Sequence, residues 1–144
     1  MNFKECYKGF LQANGKAPAV SYKSKNTKFI TYEAAKTYND FVGILADNSI
    51  LVDVDTEHEG KLLKSILEEL DIKCPILRTT RGYHFLFKHN NTYKKIMTGA
   101  KTPIGITIDI KFGSHNGVQS LKLDGIEREI LSNPLVVLIL STLE

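Results

Sequence analysis

An α+β domain with a mixed, largely antiparallel sheet and flanking helices is the fold class this sequence predicts, and three observations carry it. Runs rich in β-branched and apolar residues recur at 41–46, 49–55, 83–88 and 104–112. Asp124-Gly125, between two further runs, is the strongest short hairpin signal in the chain. Helical spacing is confined to a few flanking segments rather than alternating with every strand, which argues against a doubly wound sheet.

The elements follow in chain order. Phe3, Tyr7, Phe10 and Leu11 stand at helical spacing and predict a helix over 2–13, ended by Asn14-Gly15. Residues 15–28 read as a lysine-rich loop. Thr31 is placed to cap a short helix over 32–39, with Glu33 in its first turn. FVGILA (41–46) and SILVDVD (49–55) are strands, and Asp47-Asn48 between them reads as a hairpin turn. A helix over about 58–71 carries the stripe Leu62, Leu63, Ile66, Leu67 and Leu70. Strands are expected at 76–79, 83–88 and 104–112, then a hairpin of 117–123 with 126–130. Asn133-Pro134 opens an apolar closing helix.

The 144 residues fit a single domain spanning 1–144, with 42% hydrophobic and 24% charged residues. No run approaches the roughly 18 apolar residues of a membrane span, and MNFKECYKGF lacks the pattern of a signal peptide, so a cytoplasmic protein without a membrane partner is expected. Cys6 and Cys74 are too few and too far apart for a metal knuckle or a disulfide framework; two reduced, partly buried thiols are expected. The net charge of +3 is unevenly spread. Residues 14–28 carry Lys16, Lys23, Lys25 and Lys28 and no acid. Residues 78–101 carry Arg78, Arg81, Lys88, Lys94, Lys95 and Lys101, again without an acid. Between them, residues 47–71 hold eight acids against two lysines. Such segregation suits a protein that holds metal at one spot and polyphosphate around it, although solvated surface lysines would give the same composition.

ILVDVDT is the most informative run. Alternate side chains of a strand share a face, so Asp53 and Asp55 project together while Val52 and Val54 point the other way. Two carboxylates on one face are stable together when a cation, or water at an exposed turn, lies between them. In ITIDIKF the isoleucines share one face, and Thr107, Asp109 and Lys111 the other; Asp109 is the third carboxylate that a two-metal site would take from a second strand. In RGYHFLFK the aromatic face of Tyr83, Phe85 and Phe87 reads as core, which turns His84 to the opposite side. His84 follows Arg78, Thr79, Thr80 and Arg81, groups able to bond phosphate oxygens, and Gly82 would let backbone approach a ligand closely. His58, His89 and His115 sit in polar surroundings and are given no role.

Taken in order, LVDVD, TTRGYHFLF and IDIK resemble the motifs of the archaeo-eukaryotic primase superfamily, and in particular the small primase–polymerase domains of phages and plasmids. The resemblance runs over roughly residues 41–130. It implies a primase–polymerase core with an RNA-recognition-like sheet in its catalytic half and a cleft between two halves. It further implies that Asp53, Asp55 and Asp109 bind two Mg²⁺ or Mn²⁺ ions as the catalytic set. His84 would contact the phosphates of the incoming nucleotide, assisted by Arg81 and Lys111, with Arg78 and Thr80 nearby. Nucleoside triphosphates and a single-stranded DNA template are the implied partners, with a replicative helicase in cis or in trans, all in the cytoplasm of a bacterial host. Gly82 stands two residues before His84 where the family often carries serine, and Thr79 or Thr80 is the expected stand-in. Two other classes stay open. Asp109-Ile110-Lys111 is also the Asp-x-Lys half-motif of restriction-type nucleases, and the basic segments suit a non-catalytic replication module that binds nucleic acid or protein.

Overall fold

The computed structural model describes residues 2–89, 97–134 and 137–138. It is an α+β fold of two antiparallel sheets with few helices. The first sheet has the order β10-β9-β3-β1-β2, built from β1 (Tyr7–Asn14), β2 (Ala17–Pro18), β3 (Phe41–Leu45), β9 (Val118–Leu123) and β10 (Ile126–Glu127). The second has the order β11-β5-β6-β4-β8-β7, from β4 (Ser49–Val54), β5 (Ile76–Arg78), β6 (Tyr83–His89), β7 (Met97–Lys101), β8 (Thr107–Phe112) and β11 (Ile130–Ser132). A two-residue strand, β12 (Val137–Leu138), lies parallel to β6. The mixed, largely antiparallel character expected from the sequence is present.

The N-terminal segment is not the helix its spacing suggests. A 3-10 turn over Phe3–Cys6, closed by a capping box from Asn2 and Glu5, leads into β1. The register of β1 against β3 shifts between Tyr7 and Gly9. An inserted residue changes the phase of the side chains, so Tyr7 and Phe10, three apart, both join the core between the sheets. Leu11 then faces the other way, into an outer cluster with Ala13, Val42 and Ile44 that Tyr22 and Phe29 of the following loop cover. Apolar groups on both faces of a bulged strand imitate a helical period.

The strands on either side of Asp47-Asn48 are also not a hairpin. Both edges of β3 are occupied by β1 and β9, and both edges of β4 by β6 and β8. The dipeptide therefore turns a corner from one sheet to the other. Ser49 Oγ donates to the Cys6 carbonyl at 2.6 Å to hold that corner. A side chain at Gly113 would collide with the Ala46 carbonyl, so glycine lets the chain after β8 pack under it.

The helices fall where their caps stand. Thr31 caps α1 (Tyr32–Ala35), which is shorter than expected, and Thr56 caps α2 (Glu57–Glu69) by accepting from the Glu59 amide. Only part of the α2 stripe is used: Leu67 is buried and Leu63 partly so, whereas Leu62 and Leu70 are exposed. Gly60 lies against the Tyr83 ring and brings α2 close to β6. The closing helix expected after Asn133-Pro134 is replaced at Val137–Leu138 by β12; residues 135–136 and 139–144 of that expectation lie outside the described residues.

Two faces of the second sheet thus have different neighbours. Val54, Tyr83, Phe85 and Phe112 pack beneath α2 with Leu67. Leu51, Leu77 and Leu86 face the first sheet and meet Phe10, Phe41 and Leu45.

Candidate functional site

The site grows out of the ladder of β4. Asp53 is directly opposite His84 on β6 and directly opposite Asp109 on β8. Residues directly opposite in an antiparallel ladder share a face with their Cβ atoms about 5 Å apart. His84, Asp53 and Asp109 therefore form one row across three adjacent strands. Asp55, one residue past the end of β4, and Lys111 of β8, directly opposite Leu51, flank this row on either side. Leu77 stands directly opposite His84, and Leu51 lies between Leu86 and Lys111 in the next row on that face, so the face runs from apolar at β5 and β6 to polar at β8.

The row lines a cleft of about 340 Å³ between the sheets. Asp53, Asp55, Asp109, His84, Thr80, Arg81 and Lys111 line it from the second sheet, with Thr79. From the opposite wall come Lys16, beside the β1–β2 turn, Gln119 and Ser120 of β9, and Arg128.

Hydrogen bonds order this cleft. His84 Nε2 lies 3.5 Å from Asp53 Oδ1, and His84 Nδ1 lies 3.0 Å from Gln119 Nε2. Burial pushes the Asp53 carboxyl up, but its hydrogen bond with His84, with Lys111 and Arg128 beyond it, outweighs this and holds it below its ordinary value. Burial lowers the Arg128 guanidinium, against the opposing pull of Asp53. Arg128 Nε donates to the Ser120 carbonyl at 3.4 Å, and Lys111 Nζ to the Val118 carbonyl at 3.3 Å. Arg81 Nη2 lies 2.9 Å from Asp55 Oδ2, both exposed at the mouth.

The Thr79–Gly82 turn forms the rim. Thr79 donates its amide to the Gly82 carbonyl at 2.9 Å, and Gly82 returns its amide to Thr79 Oγ1 at 3.0 Å. Packing against the chain's own backbone also requires glycine at position 82. Its Cα presses on the exit of β4, and a Cβ would stand 2.0 Å from the Val54 carbonyl.

Seven of the eight sequence-derived site residues meet in this cleft; Arg78 does not. Its guanidinium binds both Glu57 carboxylate oxygens at 3.1 and 3.2 Å and stacks over the Tyr83 ring, on the α2 side. Lys94 and Lys95 of the basic segment lie outside the described residues. Among the described residues no three Asp, Glu, His or Cys side chains stand close enough to make a ready ion cage. The three carboxylates share a cleft without converging on one point. The carboxylates lining the cleft are Asp53, beside His84, Asp109, in register with it, and Asp55, held by Arg81 at the mouth. Gln119, Ser120 and Arg128 were not singled out by sequence, and Lys16 only as one of the four lysines of the acid-free segment 14–28. Gln119 carried a readable signal, a polar amide at an inward position of an otherwise regular strand, whereas Arg128 carried none.

No protein-family model matches the chain, and comparison with curated proteins and with solved structures likewise finds no match. No helix among the described residues is long and apolar enough to cross a membrane.

Proposed function

We propose that this chain is the nucleotidyl-transferring core of a phage- or plasmid-type primase–polymerase, extending a strand on a single-stranded DNA template from nucleoside triphosphates. The observation that carries the reading is the in-register row His84–Asp53–Asp109 on the floor of a cleft whose walls bring Lys16, Arg81, Lys111 and Arg128. In this reading the second sheet is the RNA-recognition-like catalytic half, and a replicative helicase is the partner in cis or in trans.

The donor set fits Mg²⁺ or Mn²⁺. Like charges directly opposite on neighbouring strands repel, and a cation between Asp53 and Asp109 relieves this. All the donors are oxygens, as these hard ions prefer, and the two thiols are buried. When bound, a pair of such ions supplies activation of the attacking hydroxyl and neutralisation of the triphosphate. The remaining work belongs to the side chains. Arg81 leaves Asp55 for the phosphates, offering a planar pair of donors. Lys111 and Arg128 stabilise charge that develops on the leaving pyrophosphate, from positions held before the substrate arrives. His84 presents a ring N–H to a phosphate oxygen beside Asp53.

The test is extension of a labelled primer on a DNA template with Mg²⁺ or Mn²⁺, beside the Asp53→Ala/Asp55→Ala double variant. Extension by the parent and none by the variant is expected; equal signal from both removes the catalytic reading. A second reading draws on the same cleft, because Asp109, Lys111 and Asp53 also form the acid–acid–lysine set of a metal-dependent nuclease. That enzyme would shorten the labelled strand in the same assay, with or without nucleotides.

A further inference from the structure

We infer that Gln119, pinned by Tyr7, is a positioning residue that fixes His84 as its Nε2–H tautomer and so aims an N–H donor at Asp53 and the cleft. The inference deepens the reading of this cleft as the reactive site and rests on it.

The argument is one of donors and acceptors. Gln119 is 1% exposed and belongs to the first sheet, whereas His84 belongs to the second. Its amide has two unlike ends. Oε1 accepts from the Tyr7 hydroxyl, and Nε2 lies 3.0 Å from His84 Nδ1. An amide nitrogen only donates, so Nδ1 must be the bare, accepting nitrogen of the neutral ring. The ring proton is then on Nε2, the nitrogen 3.5 Å from Asp53 Oδ1. With the amide turned over, Oε1 would face Nδ1 and call for a proton there, leaving the nitrogen beside Asp53 bare and unable to donate. In that turned state the Tyr7 hydroxyl could accept from Nε2, but its own buried O–H would lose its acceptor, Oε1, and this favours the first state.

The first sheet is built to allow this contact. β3 lies between β1, which carries Tyr7, and β9, which carries Gln119. The β3 residue paired with Gln119 is Gly43. A Cβ at Gly43 would stand 2.5 Å from the Tyr7 ring. The missing side chain is the gap through which the tyrosine crosses a strand to reach the glutamine. A glutamine that merely filled the core would need neither the gap nor the histidine.

Two-bond proton–nitrogen correlation spectra of the ¹⁵N-histidine-labelled protein report the tautomer directly. They are recorded above about pH 8, where an imidazole is neutral, and the His84 signals are assigned by their loss in His84→Asn. The parent should show a bare Nδ1 and a protonated Nε2. Gln119→Glu offers only acceptors and should move the proton to Nδ1; Tyr7→Phe, which frees the amide to turn, should raise the share of Nδ1–H. A protonated Nδ1 in the parent overturns the inference whether or not either variant folds. So does a parent-like pattern in both variants when thermal melting shows them folded. Because the readout needs no turnover, a parent that extends no primer removes the polymerase reading and leaves these spectra as they stand.

Discussion

Replacing Gly82 by alanine tests whether the rim turn and the acid-bearing strand are one mechanical unit. Gly82 is buried, and an added Cβ would lie 2.0 Å from the Val54 carbonyl oxygen, 2.9 Å from the Thr56 amide and 3.0 Å from the Asp55 carbonyl carbon. All three obstacles are backbone, so no rotamer change relieves the clash. The first contact must open by about 1 Å to reach even the shortest separation that real side chains tolerate. Two movements can supply it. Either the exit of β4 shifts, carrying Asp53 and Asp55 out of register with Asp109, or the 79–82 turn lifts away with Thr80 and Arg81. Overpacking of this kind costs about 1–3 kcal/mol, and an unyielding obstacle puts this substitution toward the upper end. At about 2–4 °C per kcal/mol for a chain of this size, melting should fall by roughly 4–12 °C.

The effect on function should exceed the effect on folding. Misplacing reacting groups by 1 Å can cost about a hundredfold in rate, equivalent to about 2.7 kcal/mol of barrier. Extension by folded Gly82→Ala, measured well below its melting temperature, should therefore drop on the order of a hundredfold. Gly105→Ala is the control. Gly105 has φ +86° with open space around it, so alanine there costs only backbone strain, about 1–2 kcal/mol, and should leave extension unchanged. Parent-like melting and extension in Gly82→Ala would refute the coupling.

Three further outcomes follow from the same geometry. Divalent ion at about a hundredfold its dissociation constant should stabilise the parent by about 2.7 kcal/mol, a rise of roughly 5–10 °C in melting temperature, and Asp109→Asn should lose most of that rise; an equal rise in both would place the ion elsewhere. The Asp53 carboxyl is held below its ordinary 3.8 because His84, Lys111 and Arg128 outweigh its burial, so its contribution to stability is present above the unfolded value and is lost as pH falls toward the folded one. Denaturant titrations below about pH 5 should accordingly show a shallower acid loss in Asp53→Asn than in the parent. Burial pushes both Cys6 and Cys74 up to about 12, which leaves only about one thiolate in ten thousand at pH 8; iodoacetamide should label neither until the chain is unfolded, and rapid labelling of the native protein would contradict the burial.

How far the sequence could be read depended on whether a residue's environment was set within its own strand or by another element. Asp53, Asp109, His84 and Lys111 were legible because each stands in a strand whose apolar alternation fixes its face, and Asp55 because it continues that alternation one residue past β4. One face must be buried, so the other is known. What alternation leaves open is which strands become neighbours. Asp47-Asn48 looked like a hairpin turn because nothing local says that β3 and β4 already have both edges filled. The bulge at the start of β1 had the same effect on the N-terminal segment, since one inserted residue turns a period of two into something close to a helical one. The opposite wall was hidden for a third reason. Lys16, Ser120 and Arg128 reach the cleft only because two sheets pack together, and no pattern within their own segments encodes that meeting. Gln119 differs from them. Along VQSLKL it alternates in phase with Leu121, which is core, so an amide with two polar ends is carried into an apolar layer. A buried amide left unbonded costs about 1–3 kcal/mol, and two unlike ends require two unlike partners. That requirement could be stated from the strand alone; naming Tyr7 and His84 as the partners needed the second sheet.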